Sequence, residues 1–274
     1  MLRGCSTALF LASSIRPAAC MRLGRTSISS VRMLAASSSA DTTLLQFGDL
    51  PITPALKSNI AAMGFTTATP VQSATLPPLL EGADVVAKAR TGTGKTLAFL
   101  VPTLQTLSTT ARAEKGQIRA LVLSPTRELA AQIAESAAAL TADGQLRTAC
   151  IFGGTSMGRD RKQLSGEVDL LVATPGRLTD HMENEGLSRR LAGLQTLILD
   201  EGDRLLDAGF SKAILKIVDQ LPSRRQSLCF SATMPPALSS VLGRALKPNY
   251  QTLDCVGEAA DAETASKVEQ SYAR

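Results

Sequence analysis

Ala89-Arg90-Thr91-Gly92-Thr93-Gly94-Lys95-Thr96 joins an apolar run, Asp84–Ala89, to a segment of helical pattern from Leu97 to Leu107. The order strand, glycine-rich turn, helix makes this octet a phosphate-binding P-loop, with Ala in place of the usual first Gly. Gly92 and Gly94 allow a tight turn, so that successive N–H groups of residues 91–96, those of Thr91 and Thr93 included, face phosphate oxygens. The N-terminus of the following helix adds partial positive charge. Lys95 is placed to reach the β- and γ-phosphates, and the Thr96 hydroxyl to ligate Mg2+. A nucleotide with its magnesium ion is expected here.

Outward from this loop, short apolar runs recur at Ala120–Ser124, Thr148–Phe152, Asp169–Ala173, Thr196–Asp200 and Gln226–Ser231. They are nearly continuous rather than alternating, the pattern of parallel strands covered on both faces. Helical patterns fall between them. Thr53-Pro54 reads as the cap and first turn of a helix that Gly64 closes. Leu129, Ile133, Ala137 and Leu140 recur at helical spacing behind Thr126, and Ile214, Ile217, Val218 and Leu221 do so before Pro222. Strands alternating with helices predict an α/β fold: a doubly wound, mainly parallel sheet with helices on both faces.

A phosphate loop needs acidic groups for the metal and the attacking water. Leu197-Ile198-Leu199-Asp200-Glu201 supplies them, an apolar strand ending in paired carboxylates. Asp200 is the candidate Mg2+ holder, through water, and Glu201 the group that orients or deprotonates the lytic water. With Lys95 they form the candidate catalytic set; the plainer alternative is an exposed acidic turn.

Composition limits the other readings. The chain has 274 residues, 44% of them hydrophobic and 3% aromatic with no Trp, so its core must be aliphatic. The formal charge of +5 is local: Arg3, Arg16, Arg22, Arg25 and Arg32 lie in residues 1–40, which hold no acidic residue. Removing those five from 29 basic residues leaves 24 against 24 acidic ones. Overall basicity is therefore no argument for nucleic-acid binding. Residues 1–40 also carry nine Ser with many Ala and Leu, the composition of an organellar transit peptide, and predict a mitochondrial address. A plastid address is the alternative, or a nuclear or cytoplasmic one should the segment be only a tail. The five Cys form no paired framework, and His181, the one histidine, has no partner at metal-ligand spacing. No apolar stretch is long enough to span a membrane.

Further short motifs bring a family into view. Asp200-Glu201-Gly202-Asp203 resembles the DEAD box with Gly in its third place, and residues 45–73, with Phe47, Gly64-Phe65, Thr67 and Thr69-Pro70-Val71-Gln72, resemble the Q motif. Pro125-Thr126-Arg127-Glu128-Leu129 is similar to motif Ia, Gly153-Gly154 to the GG element, Thr174-Pro175-Gly176-Arg177 to motif Ib, and Ser231-Ala232-Thr233 to motif III. In type and order they resemble the N-terminal, RecA-like lobe of DEAD-box ATP-dependent RNA helicases. Local wording such as Lys88-Ala89-Arg90-Thr91 resembles the organellar intron-splicing and plant members.

The resemblance implies ATP and Mg2+ as cofactors and RNA as partner, bound along its backbone by a monomer without a membrane. Gln72 would read the adenine edge, for which its amide offers a donor and an acceptor. Phe65 would stack on the base or anchor the preceding helix, and Thr67 would lie along the base through its backbone. Pro125, Thr126, Arg127, Gly153, Gly154, Thr174, Pro175, Gly176 and Arg177 would hold RNA, since free N–H groups and Arg side chains at such turns suit phosphates. For Arg127 and Arg177, a solvated surface position or a structural pair with Glu128 or Asp180 is the alternative. Asp203, Ser231 and Thr233 would couple the acidic site to closure of two lobes. Gly202 removes no functional group, and Ala in its place is expected to be tolerated. Residues 41–254 are expected to form the lobe, and 255–274 a linker toward a second lobe that the chain lacks. That absence predicts weak hydrolysis and no unwinding by this chain alone, because the arginines of a second lobe contribute about 10³–10⁵ in rate. A non-catalytic ATP- and RNA-binding module that regulates a full helicase is the second reading.

Overall fold

The computed structural model describes residues 44–111 and 114–256. Thr53 accepts a hydrogen bond from the Leu56 amide, and Pro54 presets the first turn of α1 (Pro54–Ala62), which Gly64 ends at φ +84. Thr69 and Gln72 form a reciprocal capping box on α2 (Pro70–Leu80). That helix runs through Pro77 and Pro78 in its last turn, where the sequence alone would argue for a break. The chain then alternates: β1 (Val85–Lys88), α3 (Lys95–Thr109), β2 (Ala120–Leu123), α4 (Arg127–Leu140), β3 (Thr148–Ile151), α5 (Met157–Leu164), β4 (Leu170–Ala173) and α6 (Pro175–Asn184). A short α7 (Leu187–Arg190) leads to β5 (Thr196–Asp200), α8 (Gly202–Asp207), α9 (Ser211–Val218), β6 (Gln226–Ser231), α10 (Pro236–Ala245) and β7 (Gln251–Asp254).

The seven strands form one sheet in the order β3-β4-β2-β5-β6-β1-β7, every pairing parallel. Six are the apolar runs read from the sequence. The seventh, β7, was not anticipated: its residues are mostly exposed at the sheet edge, so it carries no apolar run. Because strand side chains alternate between faces, Val85, Ala87, Val122, Val172, Ile198 and Phe230 pack with α1–α4 on one side. Val86, Leu121, Leu171, Leu197, Leu199 and Cys229 pack with α6 and α8–α10 on the other. The leader expected over residues 1–40, and residues 257–274 of the expected linker, lie outside the described residues.

Strand order positions the chemistry. At the C-terminal edge, β5, β6 and β1 lie side by side, with Asp200 in register with Phe230 and Ser231 with Lys88. The P-loop, the acidic pair and Ser231 thus meet on adjacent strand ends. On the other half of the same edge, β3, β4 and β2 bring together the turns at Gly153, Thr174 and Pro125.

Candidate active site and nucleic-acid interface

The loop after β1 folds as the glycines require: Gly92 and Gly94 take φ +78 and +90, and Gly94 caps α3. A cavity of about 640 Å³ opens over it, lined by Thr91, Gly92, Gly94, Lys95, Thr96, Asp200 and Glu201, with Thr126 and Gln132 of the α4 side opposite. Lys95 Nζ and Asp200 Oδ1 are buried and have no protein hydrogen-bond partner. Such groups are costly to leave unmatched. A buried cation and a buried carboxylate oxygen at one cavity fit a phosphate chain with its divalent ion, and the Thr96 hydroxyl lines the same wall. Burial pushes the Asp200 carboxyl up to about 6, with Lys95 opposing and Glu201 and Asp203 adding to it.

Glu201 follows in left-handed backbone, φ 49, the single non-glycine residue with positive φ among the described residues. Strain of this kind is retained at functional positions. Its carboxylate accepts from Arg204 Nη1 at 3.2 Å, one helical turn on. Arg204, unread in the sequence, therefore belongs to the site. The third box residue, Gly202, starts α8 in a tight place: a Cβ there would lie 3.0 Å from Cys229 Sγ and 3.3 Å from a Leu238 methyl. The space an Ala would need is partly taken.

Asp203 joins the acidic turn to the end of β6. Its Oδ2 accepts from the Thr233 hydroxyl at 2.8 Å and amide at 2.9 Å, while its own amide donates to Ser231 Oγ at 2.9 Å. Burial acts to raise its carboxyl, but the hydrogen bonds from Thr233 outweigh it and hold it below the usual value. The three residues read as a coupling set are in direct contact.

Gln72, read as the residue that meets the adenine edge, is tied to the P-loop. It is buried; its Oε1 accepts from the Thr69 amide at 2.8 Å and its Nε2 donates to the Gly94 carbonyl at 2.9 Å. Thr69 Oγ1 donates to the Thr93 carbonyl at 2.8 Å. Both ends of the amide thus serve the capping box and the P-loop, each through one bond, which leaves the amide a second N–H and a second lone pair. Phe65, by contrast, is 43% exposed, and Thr67 is exposed with its hydroxyl on Gln46 Oε1. Phe47 is core.

The three turns at the other half of the edge line a second cavity of about 450 Å³, with Pro125, Thr126, Arg127, Gly153, Thr174, Gly176 and Arg177 in its wall. Thr126 caps α4 through the Leu129 amide, and Pro175 is the first residue of α6. Arg127 lies across Gly154: a Cβ on that glycine, at φ +87, would fall 2.2 Å from Arg127 Nη1. Arg177 is paired with neither Glu128 nor Asp180. Its Nε meets Asp160 Oδ2 at 2.5 Å, and its Nη2 donates to the Thr155 carbonyl. The reason is packing, since α5 brings the buried Asp160 against the first turn of α6, whereas Asp180 is exposed.

A parallel sheet, a P-loop with an opposed acidic pair and a lined groove on one edge are features of many nucleotide-dependent motors. The family model for DEAD/DEAH box helicases matches residues 69–241, over half of the chain. The chain belongs to the DEAD/DEAH box helicase family. It is similar to DEAD-box ATP-dependent RNA helicase 26 of Oryza sativa subsp. japonica, 44% identical over 230 residues, covering 83% of this chain and 42% of that protein. Helicase 31 of Arabidopsis thaliana is 41% identical over 237 residues, covering 84% of this chain and 33% of its own length. The crystal structure of a DEAD box protein from the hyperthermophile Methanococcus jannaschii superposes with a TM-score of 0.70 at 32% identity, covering 77% of this chain and 56% of that one. This DEAD-box chain thus spans about two fifths of its first curated relative. The sheet agrees with the RecA-like fold that the sequence implied.

Proposed function

We propose that this chain is the ATP- and RNA-binding first lobe of a DEAD-box RNA helicase, coupling ATP binding and hydrolysis to remodelling of RNA duplexes. The observation that carries the reading is the shared edge: the unpartnered Lys95–Asp200 pair and the groove at Arg127, Gly153 and Thr174 sit on neighbouring strand ends. Lys95 and the amides of residues 91–96 hold the phosphates, while Thr96 and, through water, Asp200 hold Mg2+. That ion would neutralise charge on the transferred phosphoryl group. Glu201, kept in place by Arg204, orients the lytic water and takes its proton. Phe65 stacks on the base. Turn amides and Arg127 bind the sugar–phosphate chain without reading sequence. Asp203, Ser231 and Thr233 relay the state of the acidic turn to the end of β6.

The test is Mg·ATP and RNA binding by this chain, and RNA-stimulated ATPase both alone and when joined to the second lobe of a relative. Binding lost with Lys95→Ala, weak hydrolysis alone and strong stimulation when joined support the reading. A preference for GTP, or ATPase indifferent to RNA after joining, overturns it. The Arg-rich, acid-free leader supports delivery to the mitochondrion; residues 1–40 fused to a fluorescent protein should reach that organelle, and a cytosolic signal refutes this.

A further inference from the structure

Asp160 belongs to no motif that the sequence singled out, yet it is 1% exposed and holds three segments together. Its Oδ1 accepts from the Thr155 hydroxyl at 2.9 Å. Its Oδ2 accepts from Arg177 Nε at 2.5 Å and lies 3.1 Å from His181 Nε2. Arg177 also donates to the Thr155 carbonyl, closing a ring between the turn after β3 and the first turn of α6. The β3–β4 pairing carries on to the Thr174 amide, which donates to the Ile151 carbonyl at 3.2 Å; past it, the Gly153 amide meets Thr174 Oγ1 at a weak 3.4 Å and Arg177 Nη2 meets Thr155 Oγ1 at 3.3 Å. Glycine supplies no side chain to fix the turn at residues 153 and 154. Beyond the end of that pairing, its spacing from the start of α6 therefore depends on the buried carboxylate.

Both turns line the groove, and the third wall, Arg127, rests on Gly154. We propose that Asp160 is a positioning residue for RNA: it sets the distance between the Gly153–Thr155 turn and the α6 N-terminus, so that both present amides to one phosphodiester backbone. The proposal rests on the RNA-binding reading above. Arg177 acts here as a strut between the turns, because its Nε and Nη2 are committed to Asp160 and Thr155. A neutral group at position 160 leaves the guanidinium without its counter-charge, and Arg177 leaves for solvent.

The experiment measures a labelled single-stranded oligouridine by anisotropy, with a Mg·ATP analogue present, beside binding of a fluorescent ATP analogue alone, all on the 274-residue chain. Asp160→Asn keeps the shape and removes the charge. It should weaken RNA binding about tenfold and leave nucleotide affinity within about twofold, and Arg177→Met should do the same. Because Asp160 acts through Arg177, the double variant should bind RNA no more weakly than Arg177→Met alone, a coupling that independent sites do not show. Parental RNA affinity in Asp160→Asn overturns the proposal, as do equal losses of RNA and nucleotide binding or effects that multiply. A parent chain that binds nucleotide but no RNA overturns the RNA reading itself, and this proposal with it.

Discussion

Replacing Asp200 by Asn should make the protein more stable at neutral pH while removing the proposed hold on Mg2+. Asp200 is 3% exposed, its Oδ1 has no partner, and its carboxyl is raised from 3.8 to about 6, chiefly by burial. The folded state therefore holds this proton more tightly than the unfolded chain does. Ionisation costs nothing below the unfolded value, costs more as pH rises between the two values, and costs the full amount above the folded one. Two units correspond to about 3 kcal/mol at pH 7.5 and roughly half of that at pH 5. Asn resembles the protonated acid and escapes the cost. Urea unfolding followed by far-UV circular dichroism, apt for a chain without Trp, should show a gain in Asp200→Asn that shrinks by about 1.4 kcal/mol from pH 7.5 to pH 5. A variant no more stable than the parent at pH 7.5, or equally stabilised at both pH values, refutes the reasoning. The Mg2+ dependence of ATP binding, measured in parallel, should disappear.

Gly154→Ala combines a left-handed backbone, at about 1–2 kcal/mol, with displacement of Arg127, so the slope of log affinity for RNA against log salt should fall by about 0.7. An unchanged slope shows that Arg127 does not meet phosphate. Gly202→Ala should destabilise by about 1 kcal/mol through crowding of Cys229 and Leu238. Combining it with Cys229→Ala should recover stability beyond the sum of the single changes, and additivity in urea melts counts against the packing argument. Phe65→Ala should weaken ATP about tenfold without affecting inorganic tripolyphosphate, since a base on an aromatic ring contributes about 1–3 kcal/mol; unaltered ATP affinity leaves the ring no role at the base.

What could be read from the sequence was what is encoded contiguously. Five strands announced themselves because burial on both faces leaves no polar alternation, β3 because its run stays apolar although one face is only half-buried at the edge, and the P-loop because its glycines, Lys95 and Thr96 lie within five residues. β7 was hidden because Gln251–Asp254 is a mostly exposed edge, paired with β1 and touching the core through Leu253 alone of its four residues. At Gln72 the chemistry was legible, a donor and an acceptor on one amide, but its partners were not: Gly94 is 22 residues away. The same holds for Arg177, where the neighbour one turn on, Asp180, was the natural partner, and packing of α5 supplied Asp160 instead. Arg204 gave a fainter signal, three residues from Glu201 in a helix that the acidic box opens.

The backbone at Glu201 also bears on how this gene would drift. At φ 49, asparagine or glycine fits with less strain than glutamate, so mutation toward either is favoured by stability alone. A copy relieved of selection for hydrolysis would be expected to slide that way. Glu201→Asn or Glu201→Gly should therefore raise stability, so that the strain at this position is a cost which the glutamate side chain imposes on the fold.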